Sequence, residues 1–356
     1  MPAPPPVRVA LALGSGGARG YAHLGAIQEI RARGGEIVTI AGTSMGALVG
    51  GLAAAGRDED FLAWAAGLRQ RDVLRLMDFK LSAPGAVAAD RLLGAIGDLF
   101  AGTDIEDLPV PFTAVATDLG SRREVWFQRG PLLPAVRASI AIPGLFTPVM
   151  LNGRLLVDGG LLNPVPVDPT TAVPADLTVA VSLLGRRARA DRQAPAQESA
   201  APQRLEEWRD RLRRTVASVT GREPGADELH EGRHGRHDDD PAAPAARALD
   251  GAPVLAGDGG GGLQPATAAE PVTGGTDPLP KDLRLTDVTA QSFEAMQALV
   301  HRYRQAAFPA DVTVDVPVDA CRTLDFHRAS EMVELGRRLT AEALDAADVL
   351  PPAPTG

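Results

Sequence analysis

Hydrophobic and polar residues alternate along the first half of the chain in blocks whose lengths are typical of strands and helices. Short, uninterrupted apolar runs predict buried strands at residues 7–13, 36–41, 112–117 and 177–184. Apolar residues at helical spacing predict helices at 21–33, 45–55 and 61–77. Because strands alternate with helices, the pattern predicts an α/β fold with a mostly parallel central sheet.

The amino-acid composition of the chain changes after residue 184, where a predicted core domain of residues 1–184 ends. Residues 185–282 are rich in Pro, Ala, Gly, Asp and Arg, and such a composition buries too little apolar surface to offset chain entropy. This low-complexity insert is therefore predicted to be largely disordered. Its exception is an amphipathic helix near 205–219, which either packs on the core or contacts lipid or a partner.

The last part of the chain, residues 283–350, is predicted to pack on the core as a helix, a strand and a second helix. These elements are expected at 288–304, 312–316 and 325–346. The apolar strand suggests that this segment returns to the same sheet rather than forming a separate domain. Residues 351–356 are predicted to be a disordered tail.

Charge and cysteine content narrow the functional class. The 356 residues carry a net charge of −9, which argues against nucleic acid as a partner. Cys321 is the single cysteine, so an intrachain disulfide is excluded and a reducing cytoplasm is the expected location. Residues 37–56 are uncharged and long enough to span a membrane, but their many Gly and Ala residues are too weakly apolar to favour that reading.

The pentapeptide Gly42-Thr43-Ser44-Met45-Gly46 follows a predicted strand and opens a predicted helix. In this context a G-x-S-x-G sequence is typical of a hydrolase nucleophile elbow, a tight and strained turn that needs small neighbours. Ser44 is therefore a candidate nucleophile, and Gly42 and Gly46 are the small residues of the elbow. The alternative is a glycine-rich turn in which Ser44 only caps the helix.

A second glycine-rich turn spans Gly14-Ser15-Gly16-Gly17-Ala18-Arg19-Gly20, between the first predicted strand and helix. Successive glycines let backbone N–H groups converge on one point, which suits either an oxyanion hole or a phosphate site. The glycine spacing also makes a loose dinucleotide-binding fingerprint. That fingerprint needs an acidic residue at the end of the second strand, where this sequence has Ser44 instead.

The sequence Leu156-Val157-Asp158-Gly159-Gly160 places one carboxylate beside two glycines at the end of an apolar run. A serine hydroxyl is a poor nucleophile without a base. Burial would raise the pKa of Asp158 toward neutral pH, so this residue could take the serine proton directly. Taken alone, a D-G-G sequence is more often an aspartate that caps a turn.

The three motifs, in this order, resemble the patatin-like phospholipase family, most of all its bacterial RssA-type and neuropathy-target-esterase-type branches. The intervening blocks AVATDL (114–119), RASIAIPG (137–144) and DGGLLNPVP (158–166) agree. The resemblance covers about residues 7–184 and implies a three-layer α/β/α fold with a catalytic dyad of Ser44 and Asp158. The other residues to which it assigns a role are Gly16, Gly17, Ala18, Arg19 and Gly20 in the oxyanion loop, and Gly159 and Gly160 beside the aspartate.

The resemblance also implies hydrolysis of lipid acyl esters, without a metal or other cofactor, and peripheral contact with the inner face of the membrane. Two readings from other classes stay open: a nucleotide- or phosphate-binding module and a regulatory adaptor without catalysis. Chain-length preference, head group and oligomeric state are not defined by the sequence.

The histidines are expected to stand outside the chemistry. His327 would satisfy the chain order of a Ser–acid–His triad, but its place in a predicted helix favours a structural or surface role. His23 is expected to pack near the oxyanion loop. His230, His234 and His237 lie in the acidic insert, where adventitious metal binding is the alternative to no function.

Overall fold

An eight-stranded sheet organises the part of the chain that the computed structural model describes, which is residues 5–76, 78–79, 87–88, 90–100, 102–186 and 285–353. The strands of this sheet are β1 (Arg8–Leu13), β2 (Glu36–Thr43), β5 (Phe112–Asp118), β6 (Arg123–Phe127), β7 (Val149–Leu151), β8 (Arg154–Asp158), β9 (Leu177–Gly185) and β10 (Val312–Pro317). Two short strands, β3 (Asp78–Phe79) and β4 (Val87–Ala88), form a separate hairpin. The helix predicted near 205–219 and the three insert histidines lie outside the described residues.

The strand order is β10-β9-β1-β2-β5-β8-β7, with β6 paired to β5. The five strands from β10 to β5 run parallel, whereas β6, β7 and β8 pair antiparallel to their neighbours. The central strand β1 is buried from its second residue to its last, because a parallel strand in mid-sheet is covered on both faces. The predicted α/β class with a mostly parallel sheet is therefore confirmed.

Helices flank the sheet. Their bounds are α1 (Ala22–Ala32), α2 (Met45–Ala54), α3 (Asp58–Ala66), α4 (Gln70–Leu76), α5 (Asp90–Phe100), α6 (Leu132–Ser139), α7 (Leu285–Ala307) and α8 (Ala329–Ala346). Among the described residues, none of these helices combines the length and the apolar character that crossing a bilayer requires. The uncharged stretch 37–56 is instead divided between β2 and α2.

The C-terminal segment joins the same unit as the core. Strand β10 pairs in parallel with β9, and α8 packs against α1. The two helices approach closely because Gly25 and Gly336 face backbone atoms of the opposite helix, which a side chain would strike. Arg33, after α1, adds hydrogen-bonded ion pairs to Glu29 (2.8 Å) and to Asp345 of α8 (2.5 Å).

Two predicted helices differ from the structure. The single helix expected at 61–77 is wrong, because α3 ends at Ala66 and a new helix starts only at Gln70. The break falls at Gly67, a residue that weakens helix interiors and whose N–H turns back to the Trp64 carbonyl. The helix expected from 325 begins instead with a 3-10 turn, Phe326–Arg328, before α8.

Candidate active site

Ser44 occupies the sharp turn between β2 and α2. Its backbone lies at φ 58° and ψ −122°, a conformation that costs a non-glycine residue about 1–3 kcal/mol. Gly46 must be small, because a β-carbon there would overlap the carbonyl of Leu13. The strand, strained turn and helix are the context that the G-x-S-x-G sequence predicts.

Ser139 holds this turn in place, and sequence reasoning did not single it out. The Ser44 N–H donates to Ser139 Oγ (2.9 Å), and the Ser139 hydroxyl donates to the Val115 carbonyl (2.6 Å). Ser139 is fully buried at the end of α6. The sequence signal that could have identified Ser139 is its place in the block 137–144, which is one of the segments that resemble the family.

Asp158 ends strand β8, and the sheet register brings it next to the serine turn. Residue Ala116 of β5 pairs with Asp158, and the adjacent Val115 pairs with Thr43 of β2. A β-carbon on Gly159 would come 3.1 Å from the Thr43 side chain. The elbow and the D-G-G turn, which are more than 100 residues apart in the chain, therefore meet at the ends of β2 and β8, the two strands that flank β5.

The Asp158 carboxyl is only 1% exposed. Its Oδ1 accepts the Gly160 N–H at 2.7 Å. Its Oδ2 is buried and makes no hydrogen bond of standard geometry with a described residue. The nearby Ser44 hydroxyl nevertheless lowers the pKa of the Asp158 carboxyl, as does the Gly160 N–H. Burial outweighs both effects and raises the pKa of Asp158 to about 7. The carboxyl can therefore accept a proton near neutral pH.

The glycine-rich turn lies against the elbow, because Gly20 packs on the Met45 side chain. Gly17 has a φ of 59°, which favours glycine. The Ala18 N–H is already bonded to the Thr323 carbonyl at 2.9 Å. The N–H groups of Gly16 and Gly17 have no hydrogen-bond partner within the described part of the chain.

Arg19 connects the glycine-rich turn to the C-terminal segment. Its buried guanidinium donates to the carbonyls of Gly16 (3.2 Å) and Val318 (2.6 Å) and to the Glu294 carboxylate (3.0 Å). Two of these partners belong to the C-terminal segment. Arg19 therefore ties the glycine-rich turn to α7 and to the residue after β10.

The turn differs from a dinucleotide site in two respects. The last glycines of the turn, Gly17 and Gly20, lie in a 3-10 turn, Gly17–Tyr21, and α1 begins only after it at Ala22, so the N-terminus of α1 does not lie at the first glycines. Strand β2 ends at Thr43 and not at an acid that could bind a ribose.

No hydrogen bond joins either described histidine considered in the sequence, His23 or His327, to Ser44 or Asp158 within the part of the chain that the structure describes. His23 is fully buried, its Nε2 bonds the Gly14 carbonyl (2.8 Å), and burial lowers its pKa to about 4. His23 is therefore neutral and supports the glycine-rich turn. His327 is half-buried in the turn Phe326–Arg328 and makes no hydrogen bond with a described residue. Over the described ranges, no group of three or more His, Cys, Asp or Glu side chains is placed to hold a metal ion.

The strain at Ser44 gives a prediction about stability. Ser44→Gly should unfold at a higher temperature than Ser44→Ala, with a difference of about 1 kcal/mol, because only glycine adopts this backbone without a steric cost. Both variants lose the hydroxyl, so the difference between their unfolding temperatures reports the cost of backbone strain at residue 44. Equal stability of the two would mean that the turn is not strained.

Comparisons with known proteins identify the class that this fold and site define. The sequence pattern of the patatin-like phospholipase family matches residues 11–171, which contain the glycine-rich turn, the elbow and the D-G-G turn. The chain belongs to this family, as the sequence motifs predict.

Within the class, the chain belongs to the NTE proteins. It is 44% identical over 344 residues to the uncharacterized NTE family protein Rv1063c of Mycobacterium tuberculosis, a match that covers 96% of this chain and 92% of that protein. It is 34% identical over 168 residues to lysophospholipase NTE1 of Cryptococcus neoformans, covering 46% of this chain and 10% of that protein. A solved structure, VipD from Legionella pneumophila, is 17% identical with a TM-score of 0.32, covering 64% of this chain and 58% of that one.

Proposed function

We propose that this protein is a serine acyl hydrolase that cleaves lipid acyl esters with Ser44 as nucleophile and Asp158 as general base. The observation that carries the proposal is the buried Asp158 carboxyl, with its raised pKa, beside a serine in a strained elbow. Such a pairing of perturbed pKa and strained backbone is typical of catalytic sites.

The reaction has two balanced steps. In the first, Ser44 Oγ attacks the ester carbonyl carbon while its proton passes to Asp158, and the leaving alcohol then takes that proton as the acyl-serine ester forms. In the second, Asp158 accepts a proton from water, whose oxygen attacks the acyl-enzyme. The fatty acid leaves and the proton returns to Ser44 Oγ.

The oxyanion of each tetrahedral intermediate would lie against backbone N–H groups. The candidates are the N–H groups of Gly16 and Gly17, which have no partner among the described residues, and those of Met45 and Gly46 at the start of α2, which precede the first intrahelical bonds. One donor of this kind commonly contributes about 2.7–4 kcal/mol to transition-state stability. Arg19 is a positioning residue here, because its guanidinium is fully engaged behind the turn.

Family membership supports a lipid acyl ester as substrate, and the name of the fungal relative points to lysophospholipids among these. We place the protein in the cytoplasm, with peripheral access to lipid at the inner face of the membrane. No metal or other cofactor enters the proposed steps.

The dependence of activity on pH tests the proposal. Only ionised Asp158 can accept the Ser44 proton, so kcat/KM for a soluble short-chain ester should rise as pH increases and level off above a midpoint near 7. His23 cannot produce this rise, because its pKa is about 4. His327→Ala, the matched histidine control, should keep both the rate and the profile. A flat profile between pH 5 and 9, or loss of activity in His327→Ala, would refute the Ser–Asp pair.

A further inference from the structure

Helix α7 presents four large apolar side chains to solvent, whereas the centre of its inward side is the buried, polar Gln297. Met296 is 58% exposed and Tyr303 is 72% exposed. The exposed apolar side chains of this helix, here called the apolar stripe, are Val288, Met296, Leu299 and Tyr303. At about 100° per residue these four fall within an arc of about 80°. Exposed apolar side chains that share one helix face are a candidate contact surface for an apolar partner.

The opposite side of α7 is attached to the active-site elements by polar contacts. Glu294 pairs with Arg19 of the glycine-rich turn (3.0 Å), and Gln297 Nε2 donates to Ser15 Oγ (3.2 Å). One turn from the end of the helix, Arg304 bonds two carboxylates, those of Glu124 (2.6 Å) and Asp168 (2.7 Å). These contacts are hydrogen bonds and ion pairs, not apolar packing.

Gln297 lies directly beside the catalytic pair. A β-carbon on Gly160 would strike the Gln297 amide nitrogen, and it would come 2.7 Å from Ser15 Oγ and 2.9 Å from Asp158 Oδ1. Gln297 is itself buried, and Ser44 is only 3% exposed. Helix α7 therefore covers the Asp158 side of a site in which Ser44 is almost wholly buried.

Building on the proposed function, we propose that the apolar stripe of α7 docks on the surface of a neutral phospholipid aggregate, and that docking draws the helix away from Ser44 and Asp158. One helix then carries both the lipid contact and the cover of the site. In aqueous solution α7 stays over the site, and contact with the lipid phase that contains the substrate moves it away.

The side chains around the stripe favour lipid as its partner. Tyr303 has an apolar ring and a polar hydroxyl, a combination that prefers the boundary between acyl chains and head groups. Trp126, also exposed, donates to the same Glu124 carboxylate that binds Arg304, which places a second amphipathic ring beside the C-terminal half of α7. The stripe is uncharged and the protein carries −9, so neutral lipid is expected to suffice.

A second copy of the chain fits the stripe less well. Stable protein interfaces use roughly 20–30 residues on each side. The stripe offers four side chains along one helix face of about 22 Å, measured from Val288 to Tyr303. An interfacial helix that inserts one face into a lipid surface needs no more than this.

The test measures binding to phosphatidylcholine vesicles by co-flotation, in the Ser44→Ala background so that no lipid is hydrolysed. Met296→Gln with Leu299→Gln should weaken partitioning about tenfold, because two partly exposed side chains lose their transfer free energy. Met150→Gln is the matched control, since Met150 of β7 is 65% exposed but lies on another element. Thermal unfolding checks the fold, and Tyr303→Gln replaces the double variant if that one unfolds.

Each result supports or overturns the proposal. Loss of binding in the stripe variants with unchanged binding of Met150→Gln supports it. Absent binding of the parent, equal binding of parent and stripe variant, or an equal loss in Met150→Gln overturns it. A dimer in size-exclusion chromatography that the stripe substitutions dissociate also overturns it, because the stripe would then belong to a second copy.

Labelling of Ser44 with a fluorophosphonate separates the docking proposal from the proposed function. In protein with Ser44 intact, phosphatidylcholine vesicles should accelerate labelling, and the stripe substitutions should abolish that acceleration. Labelling that vesicles leave unchanged refutes opening on docking but keeps the hydrolase. Stripe-dependent vesicle binding without any labelling keeps docking but refutes the nucleophile.

Discussion

Asp158→Asn should lower kcat for ester hydrolysis about 10⁴-fold or more, the scale on which removal of one catalytic member disables a serine hydrolase, because the variant loses the proposed base. The asparagine amide oxygen can still accept the Gly160 N–H, which Asp158 Oδ1 accepts at 2.7 Å in the wild type. Its NH₂ group, in place of Oδ2, cannot take a proton from Ser44. The geometry is thus kept while the base is removed, and steady-state kinetics at pH 8 measure the loss.

The same variant should be more stable than the wild type at pH 8. The pKa of Asp158 is raised in the folded state, from 3.8 to about 7, so the folded protein binds this proton more tightly than the unfolded chain. The stability that this tighter proton binding gives to the folded state is fully present below pH 3.8 and is lost as pH rises through 7. At pH 8 the buried charge costs on the order of 4 kcal/mol, which Asp158→Asn removes. A variant that is less stable than wild type at pH 8, measured by denaturant unfolding, would contradict the raised pKa.

Ser44→Ala should lower kcat about 10⁴-fold or more, because the acyl-enzyme can no longer form. The fold should survive, since the substitution removes one buried hydroxyl and keeps the N–H that bonds Ser139 (2.9 Å). Ser330→Ala, at an exposed serine of α8, is the matched control and should keep full activity. Ester hydrolysis and thermal unfolding of the two variants make the comparison. Activity retained by Ser44→Ala would assign the chemistry to another residue.

The positions of the glycine-rich turn, the elbow and Asp158 in the candidate site could be predicted from sequence because each motif is local. An apolar run of strand length precedes the glycine-rich turn, the elbow and Asp158, so the turn after each strand is marked by its own residues. The parallel order of β1, β2 and β5 then brings the first two turns to one edge of the sheet. The resemblance to a known family supplied the pairing of Ser44 with Asp158, which the spacing alone left open.

The contacts of α7 could not be predicted in the same way. Glu294 and Gln297 reach partners 275 and 282 residues away in the chain, beyond any local pattern. Hydrophobic periodicity alone would turn the large apolar side chains of α7 inward, whereas the structure exposes Met296, Leu299 and Tyr303 and buries Gln297. The role of Ser139 could not be predicted for a related reason. A serine at a helix end is common, and its role here depends on hydrogen bonds with Ser44 and Val115, which are distant in the chain.

Labelling with a fluorophosphonate probe, followed by mapping of the adduct by mass spectrometry, tests the central claim most directly. Wild type, Ser44→Ala and Ser330→Ala are compared with phosphatidylcholine vesicles present, so that a closed site does not hide the serine. The account predicts a single adduct on Ser44, absent from Ser44→Ala and unchanged in Ser330→Ala. An adduct on any other residue, or none on a folded protein that binds the vesicles, would contradict it.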